Sequence, residues 1–324
     1  MYAINKKDVP SLMEKVAVFA GKEIATRLDM NNSDDFPLDI WKKMAQEGLL
    51  SLGIPVKYGG AKIACDTLVL VGEALVNHGH NMGMALSWII HLLASGFMIG
   101  KFGTPPQRAE YLPKMADGRL TAFLVSRENR NLAVTEMMKL DFLRPSPHCM
   151  IRLENCCVPS SGKLGREGTA LEEMARPCRA LEDALLNGPV LGGICRQMEL
   201  MLHALRKQGV TPADDVMRGL GEMETWRQTL RWMALEAAKR MEERGGKSES
   251  ETLLMSFRTM AADCESLAEQ VMERSGIGMD GELAAMTKDI RRTLELLRGA
   301  DPSRQKKIGE KIIVRKESNE HIKH

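Results

Sequence analysis

Aromatic side chains are scarce in this 324-residue chain: phenylalanine, tryptophan and tyrosine together make up 4% of it. That scarcity argues against a β-sandwich core, whereas 23 methionines point to adaptable helical packing. An excess of charge is also lacking. With 45 Lys+Arg against 43 Asp+Glu, no global attraction to nucleic acid or to an acidic membrane is implied, and no nucleic-acid partner is expected. No apolar run of about 18 residues or more survives uninterrupted, so no membrane span is expected. The opening "MYAINKKDVPSLMEK" has no apolar secretory core, and the seven cysteines are odd in number and irregularly spaced. These features predict reduced thiols and a cytoplasmic location. The adjacent Cys156 and Cys157 read as packing residues rather than a redox pair. P-loop, nucleophile-elbow and zinc-protease motifs are absent. His78, His80 and His91 do not make a metal site either: His-x-His projects to different helix faces, and no further ligand completes the set.

What the chain does contain is helical periodicity, over a length sufficient for two or three packed units. Residues 1–119 read as a helical domain. Leu12, Val16, Phe19 and Leu28 mark one apolar stripe, and Met82, Leu86, Ile89, Leu93 and Phe97 another. Pro37 suits a first helical turn, Asp66 an N-cap, and Thr104 caps the helix that follows it. Residues 120–160 change period. "LTAFLV" and "HCMIRLENCCV" look like strands, with Pro145 and Pro147 breaking any helix between them. The stretch holds about four strands, too few for a closed barrel. Helices return over 161–300, interrupted by Pro177 and Pro189 and then running from Asp214 to about Arg244, Ser248 to about Arg274 and Glu282 to about Arg298. Residues 301–324 read as a basic, solvated tail. The fold class expected is mainly α: an N-terminal helical domain, a short β segment and a C-terminal four-helix bundle.

Three local stretches sharpen this. "EGLLSLGIPVKYGGAKI", "KFGTPPQRAEYLPKMADGRL" and "MKLDFLRPSPHCMIRLENCCVPSSGKLGREG" resemble sequence patterns of the acyl-CoA dehydrogenase family. The resemblance implies that family's fold, with a truncated middle β domain. Family members bind FAD and oxidise the Cα–Cβ bond of an acyl-CoA thioester, a carboxylate removing the α proton while the flavin accepts the hydride. Two flavin-side patterns of the β domain are not matched. "SRENRN" stands where the family has an "EP.AGSD" turn, and no tryptophan lies between Trp88 and Trp226 to supply the later "W.TN" strand.

The remaining cofactor contacts implied by the resemblance are Arg206 in "LRKQGV", which lacks the family's phenylalanine, and Gly276 and Gly278 in "ERSGIGMDG". Gly276, Gly278 and Gly281 also spell G-x-G-x-x-G, but a charged helical stretch precedes them, so a helix-ending turn is the better account. For the base, Arg298 stands where most members carry glutamate, and arginine cannot serve as a base at neutral pH. Glu182 matches the alternative position used by a minority branch, with Gly188 and Pro189 also matching; a surface helical glutamate beside Asp183 is the competing account. The resemblance therefore implies a relative that has lost FAD and dehydrogenase activity. It would bind an acyl-CoA or acyl-carrier thioester, as a homo-oligomer or as the non-catalytic partner of a full-length acyl-CoA dehydrogenase. Two alternatives stand beside it: an active FAD-dependent dehydrogenase with Glu182 as base, and a flavin-independent lyase or isomerase acting on an acyl thioester.

Overall fold

The computed structural model describes residues 8–31, 33, 35–116, 131–137, 140–166, 169–244 and 249–320. "LTAFLV" and "SRENR", all of "SRENRN" but Asn131, lie outside them. The first layer comprises α1 (Val9–Phe19), α2 (Leu38–Gln46), α3 (Cys65–Gly79), α4 (Met82–Leu92), a wider π turn (Leu93–Ile99), the short α5 (Gly100–Phe102) and α6 (Pro105–Ala116). Thr104 caps α6 as expected: Gln107 N–H donates to Thr104 Oγ1 at 3.4 Å, and Thr104 N–H donates to Gln107 Oε1 at 2.8 Å. Asp66 does not cap α3. The helix begins two residues earlier than that cap implies, at Cys65, with Ala64 at the cap and Asp66 in the first turn, where its carboxylate accepts from Thr67 N–H. Leu28 leaves the first stripe. The α-helix ends at Phe19 and its π continuation at Ile24, and Leu28 lies 75% exposed while Val16 and Phe19 are buried.

Helix α4, its π continuation and α5 form one 21-residue stretch, Met82–Phe102, that is long and apolar enough to cross a membrane by length and composition. Ser87, His91 and Ser95 interrupt its apolar run, so it is not a clear membrane span. Most of it is buried against the other helices, as a core helix is, with Trp88 and Ile89 fully enclosed.

The second layer is built of α7 (Arg176–Leu185), α8 (Asn187–Gln208), α9 (Asp214–Arg244), α10 (Glu249–Ser275) and α11 (Gly281–Arg298). Pro177 sits in the first turn of α7 and Pro189 in that of α8, so both prolines start helices where only a break was anticipated. Glycines on α8 let α3 approach closely. A Cβ on Gly188 would stand 2.3 Å from Val69 O, and one on Gly192 would stand 2.4 Å from Glu73 O. One continuous apolar core then runs through both layers, from Val16 to Leu297, with Met44, Met201 and Met223 fully buried in it.

Between the layers the described residues hold one antiparallel ribbon, β1 (Leu132–Met137) with β2 (Cys149–Leu153), in a register pairing Leu132 with Leu153. Every β2 residue faces solvent, Met150 at 65% and Leu153 at 55%, and Val134 of β1 is 48% exposed. The ribbon's connecting loop reaches into the helices. Leu143 is buried in the common core, and its N–H donates to Asp289 Oδ1 on α11 at 2.8 Å. Asn81 Nδ2 donates to Arg144 O at 3.0 Å, and Lys288 pairs with Asp141 at 2.7 Å. At Gly83 of α4 a Cβ would stand 2.2 Å from Leu143 O, so only glycine admits the loop there.

Residues anticipated as a solvated tail form α12 (Asp301–Glu320). Beyond its first turns that helix shows its described side chains to solvent, Ile312 at 54% and Ile313 at 62%.

Candidate functional site

Helix α7 carries Glu182, whose side chain is 20% exposed and 3.3 Å from Arg179 Nη1. Burial raises its carboxyl above the ordinary glutamate value, with the Arg179 guanidinium opposing the shift. A half-buried carboxyl of raised pKa is chemically suited to proton transfer. Its neighbour Asp183 is fully buried and turns the other way, into an ionic cluster tying three helices together. Asp183 Oδ2 lies 3.0 Å from Arg258 Nη2 on α10 and 2.7 Å from Arg304 Nη2 on α12. Arg258, itself fully buried, reaches Asp301 Oδ1 at 2.5 Å, and Arg304 lies 3.5 Å from the same oxygen. Arg179 Nε completes the set, 3.0 Å from Asp183 Oδ1.

The cluster joins α7 to the start of α12, directly after the turn that carries Arg298. The structure therefore brings the neighbours of the two base positions into contact rather than the positions themselves. Arg298 lies exposed at the end of α11. Gly188 and Pro189, which carried part of the case for Glu182, have a packing reason to be where they are: they face α3 at Val69 and Gly72.

The cofactor-side residues separate as well. Gly276 follows α10 with φ +65°, and Ile277 N–H bonds back to Met272 O at 2.9 Å, a helix-ending turn as anticipated. Gly276 and Gly278 line a cleft of about 390 Å³ with Lys207 and Gln208 from the end of α8. Arg206 is exposed on the last turn of α8 and is not among the residues lining that cleft; a cation there is favourable to the helix C-terminus in any case. Neither Glu182 nor Arg298 lines this cleft or a second one of about 330 Å³ at the α3–α11 junction. No group of three or more metal-ligating side chains occurs among the described residues. His91 is buried, 3.1 Å from Leu50 O and edge-on to Trp41, and burial holds it at about 4, neutral at physiological pH.

Sequence reasoning passed over Asp183, Arg258, Asp301 and Arg304. One signal was available: Arg258 follows Phe257 and sits one turn from Leu254 and Ala261 on the buried stripe of α10, an arginine inside an apolar face. It also passed over Glu265, held in the bundle by Gln197.

Comparison with known proteins places the chain. Residues 7–119 match the family model "Acyl-CoA dehydrogenase, N-terminal domain". An acyl-CoA dehydrogenase of Bacillus subtilis (strain 168) is 32% identical over 117 residues, 36% of this chain and 30% of that protein. The matched stretch thus spans less than a third of the first curated relatives, 30% of this one and 25% of an acyl-CoA dehydrogenase fadE12 of Mycobacterium tuberculosis. Among solved structures, Apo-form PigA superposes with a TM-score of 0.79 over 96% of this chain and 99% of its own, at 18% identity. Butyryl-CoA dehydrogenase from Megasphaera elsdenii superposes at 0.76 over 90% and 95%, at 13% identity.

Proposed function

We propose, for a chain with the acyl-CoA dehydrogenase fold and that family's N-terminal domain, a role without flavin chemistry: binding an acyl thioester, or serving as the non-catalytic partner of a complete dehydrogenase. The observation that carries this reading is the ribbon. Among the described residues the β layer is two strands with exposed arms, and a flavin held between layers needs a β wall on one side of its ring. On the helical side, the Gly276 turn and Lys207 leave room for a phosphate, but Arg206 is not among the residues lining that cleft. Residues on one side alone do not fit a tightly held FAD. The Asp183–Arg258–Asp301–Arg304 cluster supports the same reading, because it commits the carboxylates on α7 and at the start of α12 to ion pairs with arginines.

The test is a visible absorption spectrum of the purified protein, before and after incubation with excess FAD and desalting. The expected result is a colourless protein that retains no FAD. Flavin bands persisting near one per chain would sink the proposal and favour the FAD-dependent alternative, with Glu182 as base. Glu182→Gln then separates binding from catalysis: a binding module keeps its thioester affinity, whereas a lyase or isomerase loses turnover.

A further inference from the structure

The cleft of about 330 Å³ at the α3–α11 junction falls within the size range of small-molecule sites and takes no part in the reading above. Ile24 and Met30 give it an apolar floor and Leu28 an exposed apolar rim. His80 stands in its wall with φ +59°, a left-handed conformation ending α3 where glycine or asparagine is the usual choice. Glycine is available one residue earlier, at Gly79, so the strain at His80 coincides with a side chain that does something else. Across the junction between the helical layers, its Nδ1 lies 3.2 Å from Glu282 Oε1. A carboxylate at that distance favours the tautomer protonated on Nδ1, leaving Nε2 as an acceptor at the cleft. Burial, with the Arg196 guanidinium nearby, lowers the imidazole pKa and favours its neutral form. A donor accompanies it: Asn31 takes Asn81 Nδ2 on its Oδ1 at 2.7 Å, which leaves its own Nδ2 hydrogens for the cleft wall.

The charges around the cleft are already matched. Arg27 bonds both oxygens of Asp29 at 2.9 Å and Asp39 at 2.6 Å. Glu282 is held by Arg196 through two bonds, at 2.7 and 3.1 Å. An ionised ligand would lose its hydration and meet no spare counter-charge. An uncharged one meets an acceptor, a donor and a hydrocarbon floor. We propose that this cleft binds a small neutral molecule bearing an N–H donor and a carbonyl acceptor on a short hydrocarbon, the chemistry of a primary carboxamide, with His80 Nε2 and Asn31 Nδ2 as its polar partners.

Isobutyramide, titrated into histidine-¹⁵N-labelled protein, is the direct probe, with isobutyrate and isobutylamine as charged controls. The His80 ring signal is identified by its loss in His80→Asn, a variant whose side chain suits the left-handed position. The expected result is a saturable shift of His80 Nε2 with isobutyramide and none with either control. In Asn31→Ala the same shift should saturate at about tenfold higher concentration, one hydrogen bond's worth of affinity. An unmoved His80 Nε2 in the wild-type protein at the solubility limit of isobutyramide would overturn the site. A stronger response to isobutyrate or isobutylamine would overturn the ligand class. Neither outcome bears on FAD retention, so this inference and the proposed function fail separately.

Discussion

Replacing Glu265 by glutamine should remove most of one pH dependence from the stability of the bundle. Glu265 lies on α10 at 3% exposure. Gln197 Nε2 bridges it to α11, donating to Glu265 Oε2 at 3.0 Å and to Thr287 Oγ1 at 2.9 Å. The nearest cation, Arg291, stands 3.8 Å away and is one-third exposed, and among the described residues Glu265 Oε1 accepts no hydrogen bond. Burial pushes this carboxyl from 4.5 up to about 7, the Gln197 bond and Arg291 offsetting only part of the shift. The folded state therefore keeps a proton that the unfolded chain releases. Stability from this group is fully present below pH 4.5 and is lost as pH rises through 7. At about 1.36 kcal/mol per pKa unit the full loss is about 3 kcal/mol, of which about 2.5 falls between pH 5 and pH 8. Urea unfolding of wild type and Glu265→Gln at those two values, followed by circular dichroism, measures the difference. Asp289, which burial raises to about 6, contributes equally to both proteins and cancels. Parallel losses of stability in wild type and variant would refute the reasoning.

Two further outcomes follow from the same packing arguments. Arg258→Met removes the fully buried cation shared by Asp183 and Asp301, leaving Asp183 to Arg179 and Arg304, and should cost about 3 kcal/mol in urea unfolding, the lower end for breaking a buried ion pair. Gly276→Ala forces a side chain into φ +65° with open space around it, so strain alone should lower stability by about 1–2 kcal/mol, read as a fall in the thermal midpoint.

Local chemistry explains what could be read from the sequence. Thr104 with Gln107, the Gly276 turn and the helix from Asp214 to Arg244 are specified by residues within a few positions of each other, and all stand where the sequence puts them. The order of helices, short β segment and bundle follows from such signals summed. Partners far apart in sequence are what it hid. Arg258 is separated from Asp183 by 75 positions and Glu265 from Gln197 by 68, so even where Arg258 sits on an apolar stripe the sequence does not show its partner. Helix α12 was missed for a related reason: its composition is that of a solvated tail, but Asp301 and Arg304 fasten its first turn to buried partners. At Glu182 and Arg298 the sequence supplied positions in a pattern, and a pattern carries no orientation.

The β1–β2 ribbon is held by its turn and not by its strands. Leu143, Arg144 and Asp141 fix the loop to α4 and α11, while the arms pair mainly with each other in solvent. A hairpin moored in this way can gain or lose residues from its arms two at a time, keeping side-chain alternation, without moving any helix. Length in the middle of this chain is thus decoupled from the integrity of the two helical layers, which is the mechanical condition under which a β layer can shrink while the rest of the molecule stays folded.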